Sequence, residues 1–197
     1  MKPYFWISFY IVILSLTNIL LTFLISHLSI LSIIIALAIV IVLAIWAWRQ
    51  PFQDNVLYLH DVSNMLGGIL LGILAVYWLS SQEKLISFLI PIAIIDFISF
   101  TRFGRWTPNR KLIENKTIAK RLSICMPIPS FSGLYQITGI GDMFVFALIV
   151  GATLKIWGIH AIWMAISAII VGQMLLVCYL LRTSRGTVEF QQLRSLF

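Results

Sequence analysis

Six long apolar runs dominate this chain, at about 4–25, 28–48, 65–79, 85–101, 139–157 and 159–181, each bounded by charge or by a chain-breaking residue. A helix needs about 20 apolar residues to cross a hydrocarbon core roughly 30 Å thick, and it satisfies every backbone N–H and C=O within one segment. Six such spans use up most of 197 residues, of which 60% are hydrophobic and only 11% charged. That balance is far from the mix of a soluble domain. The expectation is an all-α polytopic membrane protein with about six transmembrane helices, folded as one membrane domain over 1–197. The third, fourth and fifth runs are short, and Pro91 interrupts the fourth while Gly67, Gly68 and Gly72 interrupt the third. Interrupted helices sit against other helices, where neighbours satisfy the freed backbone groups.

With six spans, both termini, the loop at 49–64 and the loop at 102–138 share one side of the membrane. That side holds twelve of the fourteen Lys and Arg residues, and only Lys84 and Lys155 fall on the other. The bias places both termini and the 102–138 loop in the cytoplasm. No small-residue cleavage site separates the first run from the second, so the first helix is expected to stay in the mature protein. The net charge of +7 does not argue for nucleic acid, because the basic residues flank helices and lack the interleaved aromatics of a base-stacking surface. They fit topology and contact with anionic lipid heads. Cys125 and Cys178 have neither disulfide nor metal-ligand spacing and are expected to be free thiols.

Two aspartates interrupt this pattern. The fourth run reads LISFLIPIAIIDFISFTR and puts Asp96 inside apolar sequence, while the fifth begins ITGIGDMFVFALIVG and puts Asp142 a few residues inside its own edge. An aspartate at the centre of a membrane helix costs about 2.5 to 3.5 kcal/mol on insertion scales, so it is expected to face a partner or a water-filled cavity. By the topology above, both lie near the cytoplasmic ends of consecutive antiparallel helices, at similar depth. Two carboxylates sharing a site hold one proton between them. That is the requirement of aspartic protease chemistry: one carboxylate activates water, the other bonds the developing oxyanion, and neither a metal nor an organic cofactor is needed. Gly139 and Gly141, lacking Cβ atoms, leave room beside Asp142 for water or an extended substrate.

On those residues, Asp96 in IIDFISFTR and Gly139-Ile140-Gly141-Asp142 in GIGDMFVFALIVG, the chain resembles the GxGD intramembrane aspartyl proteases, the presenilin and signal peptide peptidase family. The resemblance covers roughly 85–181. It implies a presenilin-like aspartyl protease core in which Asp96 and Asp142 form a catalytic dyad, Gly139 and Gly141 shape the site, and the substrates are membrane-protein or signal-peptide segments. The chain departs from the family pattern at Ile95, where the family has Tyr, and it has no proline after Pro129 to form the family's Pro-Ala-Leu motif. Prepilin and preflagellin peptidases, which cleave leader peptides, also pair a membrane aspartate with GxGD and are the second resemblance. From other classes, a proton or cation transporter and a non-catalytic adaptor for membrane helices are the competing readings.

Elsewhere the chemistry is thin. Asp54, His60 and Asp61 precede the third run, and Asp61 before Val62, Ser63 and Asn64 reads as helix-start chemistry rather than a metal site, for which His60 lacks a partner at ligand spacing. The segment SICMPIPSFSGLYQ carries Pro127 and Pro129, which disfavour helix and predict extended backbone entering the membrane. Such an extended segment offers a strand edge for an unwound substrate.

Overall fold

A computed structural model describes residues 3–51, 53–79, 81–99, 115–129 and 134–183. Its helices follow the apolar runs. Helix α1 (Pro3–Ser26) starts on a proline, whose fixed φ suits a first helical position and whose missing N–H would have had no partner there. Helix α2 (Ile30–Arg49) is capped by Ser29, whose hydroxyl accepts the N–H of Ser32 at 3.2 Å. Pro51 follows closely on its end. Next come α3 (Asp54–Trp78), α4 (Gln82–Ser99) and a short α5 (Lys116–Arg121) capped by the Asn115 side chain. Strands β1 (Ser123–Pro127) and β2 (Leu134–Gly139) form an antiparallel hairpin that runs straight into α6 (Ile140–Trp157). Gly158, at φ 79°, takes the left-handed conformation that ends α6, and one 3₁₀ turn leads to α7 (Ile162–Thr183).

Helix α6 is the axis of the fold. On one side its Met143, Phe146 and Val150 pack with Leu14 of α1 and with Ala165 and Ile169 of α7. On the other, Ala147 packs with Ile69, Leu70 and Ile73 of α3, whose far side is covered by Ile33 and Val40 of α2. Helices α3 and α6 touch backbone to backbone: a Cβ on Gly68 would lie 2.9 Å from the Ile140 carbonyl oxygen, and one on Gly72 only 2.6 Å from that of Phe144. A little further along, Gly151 accommodates Val76. The contacts advance in the same sense on both helices, so α3 and α6 run parallel.

Among the described residues, four helices are long and apolar enough to cross a membrane: Phe5–Ser26, Ile30–Arg49, Val56–Trp78 and Ile140–Trp157. Helix α2, with mean hydropathy 3.2, leaves Leu31 at 66% and Val42 at 65% exposed, a surface that suits lipid rather than water. Within the described residues all six expected runs carry helix, and four rather than six of these helices have the length and hydropathy of a span. Helix α4 carries Glu83, Lys84 and Asp96, and the described apolar part of the last helix stops at Leu175. The largest departure from expectation is α3, which starts at Asp54 rather than near 65. Its polar first turns form helix because the hairpin supplies buried partners for them, as described below. The chain is mostly helical, as expected, and the hairpin adds a two-stranded sheet to it. Residues 100–114 and 130–133 of the basic loop, and 184–197 of the C-terminal tail, lie outside the described residues.

Candidate functional site

Asp142 is the third residue of α6. Its Oδ2 accepts the backbone N–H of Gly139 at 3.0 Å and the hydroxyl of Thr138 at 2.9 Å. This is the side-chain half of a capping box, and the positive end of the helix dipole favours an anion there. The fit explains locally why an aspartate can sit at this point of an apolar chain. Both bonds fall on Oδ2, so Oδ1 stays outside the cap.

The turn that carries Asp142 is held from three sides. Asn18 of α1, fully buried, donates from Nδ2 to the carbonyl of Met143 at 3.0 Å, and Thr22 donates to the Asn18 oxygen at 3.3 Å. Gly68 of α3 allows Ile140 and Met143 to approach. The hairpin bonds the start of the helix directly, with Ile140 N–H donating to the Leu122 carbonyl at 3.0 Å. By contrast, a Cβ on Gly141 would meet nothing within 4 Å, and one on Gly139 would meet the Asp142 Oδ2 at an ordinary 3.7 Å. Packing among the described residues therefore does not require the glycines expected to shape the site, and among these residues the space beside Gly141 is open.

Asp96 lies on the exposed part of α4. This helix meets α6 through its first half: the Phe88 and Phe144 rings stand 6.3 Å apart at 66°, and Leu85 joins Leu148 and Ala152 in one cluster. Pro91 follows, and residues 93–97 are all exposed. Both aspartates lie on the same side of the aromatic contact, toward neighbouring ends of their helices. Asp96 stands about two turns beyond Phe88, whereas Asp142 is less than one turn from Phe144. The carboxylate of Asp142 is held by Thr138 and Gly139 rather than by Asp96.

The residues before the third run are placed differently from expectation. Asp61 is not helix-start chemistry. The N-cap of α3 is Gln53, and Asp61 sits buried in the third turn, where its Oδ1 accepts the Cys125 N–H of β1 at 2.9 Å. Asn64, on the same face, donates to the carbonyls of Arg121 at 2.8 Å and Ser123 at 3.3 Å. Arg121 in turn donates to the carbonyls of Trp48 at 2.6 Å and Gln50 at 3.2 Å, and lies over the Trp48 ring, which satisfies the end of α2. The buried His60 ring stands edge-on to Trp48. Sequence reasoning passed over Asp61 and Asn64 as partners of the hairpin. Their i, i+3 spacing, on a helix continuous with the apolar run, is the signal that would have found them.

Cys125 is a free, fully buried thiol. Burial, with the Asp61 carboxylate adding to it and Lys120 opposing, pushes it up to about 12. It stays a thiol at neutral pH, which removes it as a nucleophile in this region. No family model, curated protein or solved structure matches the chain.

Proposed function

We propose that the chain is an intramembrane aspartyl protease, hydrolysing peptide bonds in or beside the membrane-spanning segments of its substrates with Asp96 and Asp142 as the dyad. One observation carries the reading: β2 ends at Gly139 and α6 begins at Ile140, so a strand edge stops beside the carboxylate of Asp142. Asp61 already occupies the outward N–H of Cys125 on β1, so β2 is the strand that this reading assigns to an unwound substrate. Open space at Gly141 lies next to the bond so presented. In this mechanism the ionised carboxylate takes a proton from water as the water oxygen attacks the peptide carbonyl carbon. The protonated carboxylate bonds the developing oxyanion, and the tetrahedral intermediate collapses as its C–N bond breaks and the leaving nitrogen takes up a proton. Assembly of the dyad requires the second half of α4 to bring Asp96 toward Oδ1 of Asp142. Pro91, which removes a backbone hydrogen bond within α4, is the natural point for that bend.

The test is cleavage by the purified protein, in bicelles, of a peptide with one apolar helix, with products identified by mass. A cut within or at the edge of the span supports the proposal, and an inert protein across a panel of such substrates sinks it. In the same assay Gly141→Leu is expected to keep the wild-type melting temperature while kcat/KM falls about tenfold, because the added side chain fills space used by substrate rather than by the fold. Loss of stability without a specific kinetic effect would assign Gly141 to packing instead.

The same reading places both termini and the 102–138 loop in the cytoplasm. With Cys125 and Cys178 replaced by alanine, a cysteine introduced at Glu83 or Gly158 should react with an impermeant maleimide in intact cells, and one at Asn115 should not. The opposite pattern overturns the orientation.

A further inference from the structure

Two buried polar side chains of α3 have no part in the chemistry above. Asp61, 7% exposed, and Asn64, 6% exposed, lie in a helix apolar enough to span the membrane. Helix packing alone would favour apolar residues at both positions, because a buried carboxylate or amide loses its hydration. What these side chains meet is backbone. Together they bond the Arg121 and Ser123 carbonyls and the Cys125 N–H, three groups within five residues of the α5–β1 segment. From the other side, the Tyr10 hydroxyl of α1 donates to the Pro127 carbonyl at the far end of β1 at 2.8 Å.

The held segment leads directly to Asp142. Ser123 pairs with Gly139 and Ile124 with Thr138, and Leu122 accepts the N–H of Ile140. Thr138 and Gly139 are the two residues that bond Oδ2 of Asp142. Each step from α3 to the carboxylate is thus one hydrogen bond or one strand pair. Apolar contacts tolerate a slip of the strand, whereas three directional bonds to named backbone groups admit one register.

We propose that Asp61 and Asn64 are positioning residues, which fix β1 and, through its pairing with β2, the Thr138–Gly139 cradle that aims the Asp142 carboxylate. The effect on turnover rests on the protease reading above; the effect on Asp142 itself does not. Asp61→Asn keeps an acceptor oxygen for the Cys125 N–H, while Asp61→Leu and Asn64→Leu keep bulk and lose the bonds.

The full chain in bicelles supplies three readouts: hydrogen exchange of the 123–127 and 134–139 segments, the rate of carbodiimide coupling at Asp142 followed by mass spectrometry, and kcat, KM and cut position on the helical peptide. Both leucine variants are expected to raise hairpin exchange about tenfold and to alter the coupling rate at Asp142. They should lower kcat about tenfold with KM little changed, and spread the cut over neighbouring bonds. Asp61→Asn should stay near wild type in all three. Unchanged exchange at 134–139, or unchanged coupling at Asp142, overturns the proposal. Loosened hairpins that cleave at the wild-type rate and position overturn the positioning role while the protease reading stands. If no form of the protein cleaves, the protease reading fails, and exchange and coupling still decide whether Asp61 and Asn64 hold Asp142. Should Asp61→Leu not fold, Asn64→Leu, which removes only a neutral amide, carries the same test.

Discussion

Asp96→Asn and Asp142→Asn are each expected to lower the turnover of a helical membrane substrate by about a thousandfold, with the double variant no slower than either single one. The substitution is nearly isosteric and removes only the acid–base function. At position 142 the fold is expected to survive, because the asparagine oxygen can still accept the Gly139 N–H and the Thr138 hydroxyl that now bond Oδ2. Losing the negative charge at the helix start costs about 0.3–1 kcal/mol. At position 96, on an exposed part of α4, asparagine keeps the size of the side chain and an acceptor oxygen. Near-unchanged melting temperatures with lost turnover therefore assign both residues to chemistry. Non-additivity follows because a shared-proton pair is one catalytic unit, so removing either half removes the whole. Wild-type cleavage by either single variant would rule out the dyad.

Gly72→Ala is expected to destabilise the protein by about 1–3 kcal/mol, and Gly68→Ala by somewhat less. On helix propensity alone each change would stabilise by roughly 1 kcal/mol. The surroundings reverse that sign. At Gly72 the new Cβ would stand 2.6 Å from the Phe144 carbonyl oxygen, 2.8 Å from Ala147 Cβ and 3.0 Å from Leu148 N; at Gly68 it would stand 2.8 Å from Met143 Cβ and 2.9 Å from the Ile140 carbonyl oxygen. Backbone atoms of a helix cannot rotate out of the way, so α3 and α6 must separate, and the turn bearing Asp142 moves with them. Gly172→Ala is the control, since its Cβ meets nothing within 4 Å, and it should be neutral or stabilising. Thermal unfolding in detergent reads all three. A Gly72→Ala variant as stable as wild type would show that the two helices do not pack this closely.

The helices themselves were legible in the sequence. Apolar runs bounded by charge and breakers located α1, α2, α4, α6 and α7 to within a few residues, because in a bilayer the burial of each run is decided by its own composition. The placement of Asp142 just inside the start of a helix could be read as well, since Gly139 and Gly141 precede it and an apolar stretch follows. Pro127 and Pro129 marked extended backbone, which β1 realises up to Pro127.

Three things needed the tertiary structure. The first turns of α3 read as loop because Asp61, Ser63 and Asn64 are polar. They are helical, with Asp61 and Asn64 buried, because β1 and the end of α5 offer these two side chains backbone partners from more than fifty residues away, which no local pattern encodes. The pairing of β1 with β2, with its irregularity between Ile124 and Cys125, likewise depends on which strand faces which. Gly68 and Gly72 show the small-residue spacing of a close helix contact, but only the fold reveals α6 as the helix they admit. Local composition thus determined what becomes helix, and side-chain partners distant in sequence decided where the helices meet and how the carboxylate of Asp142 is held.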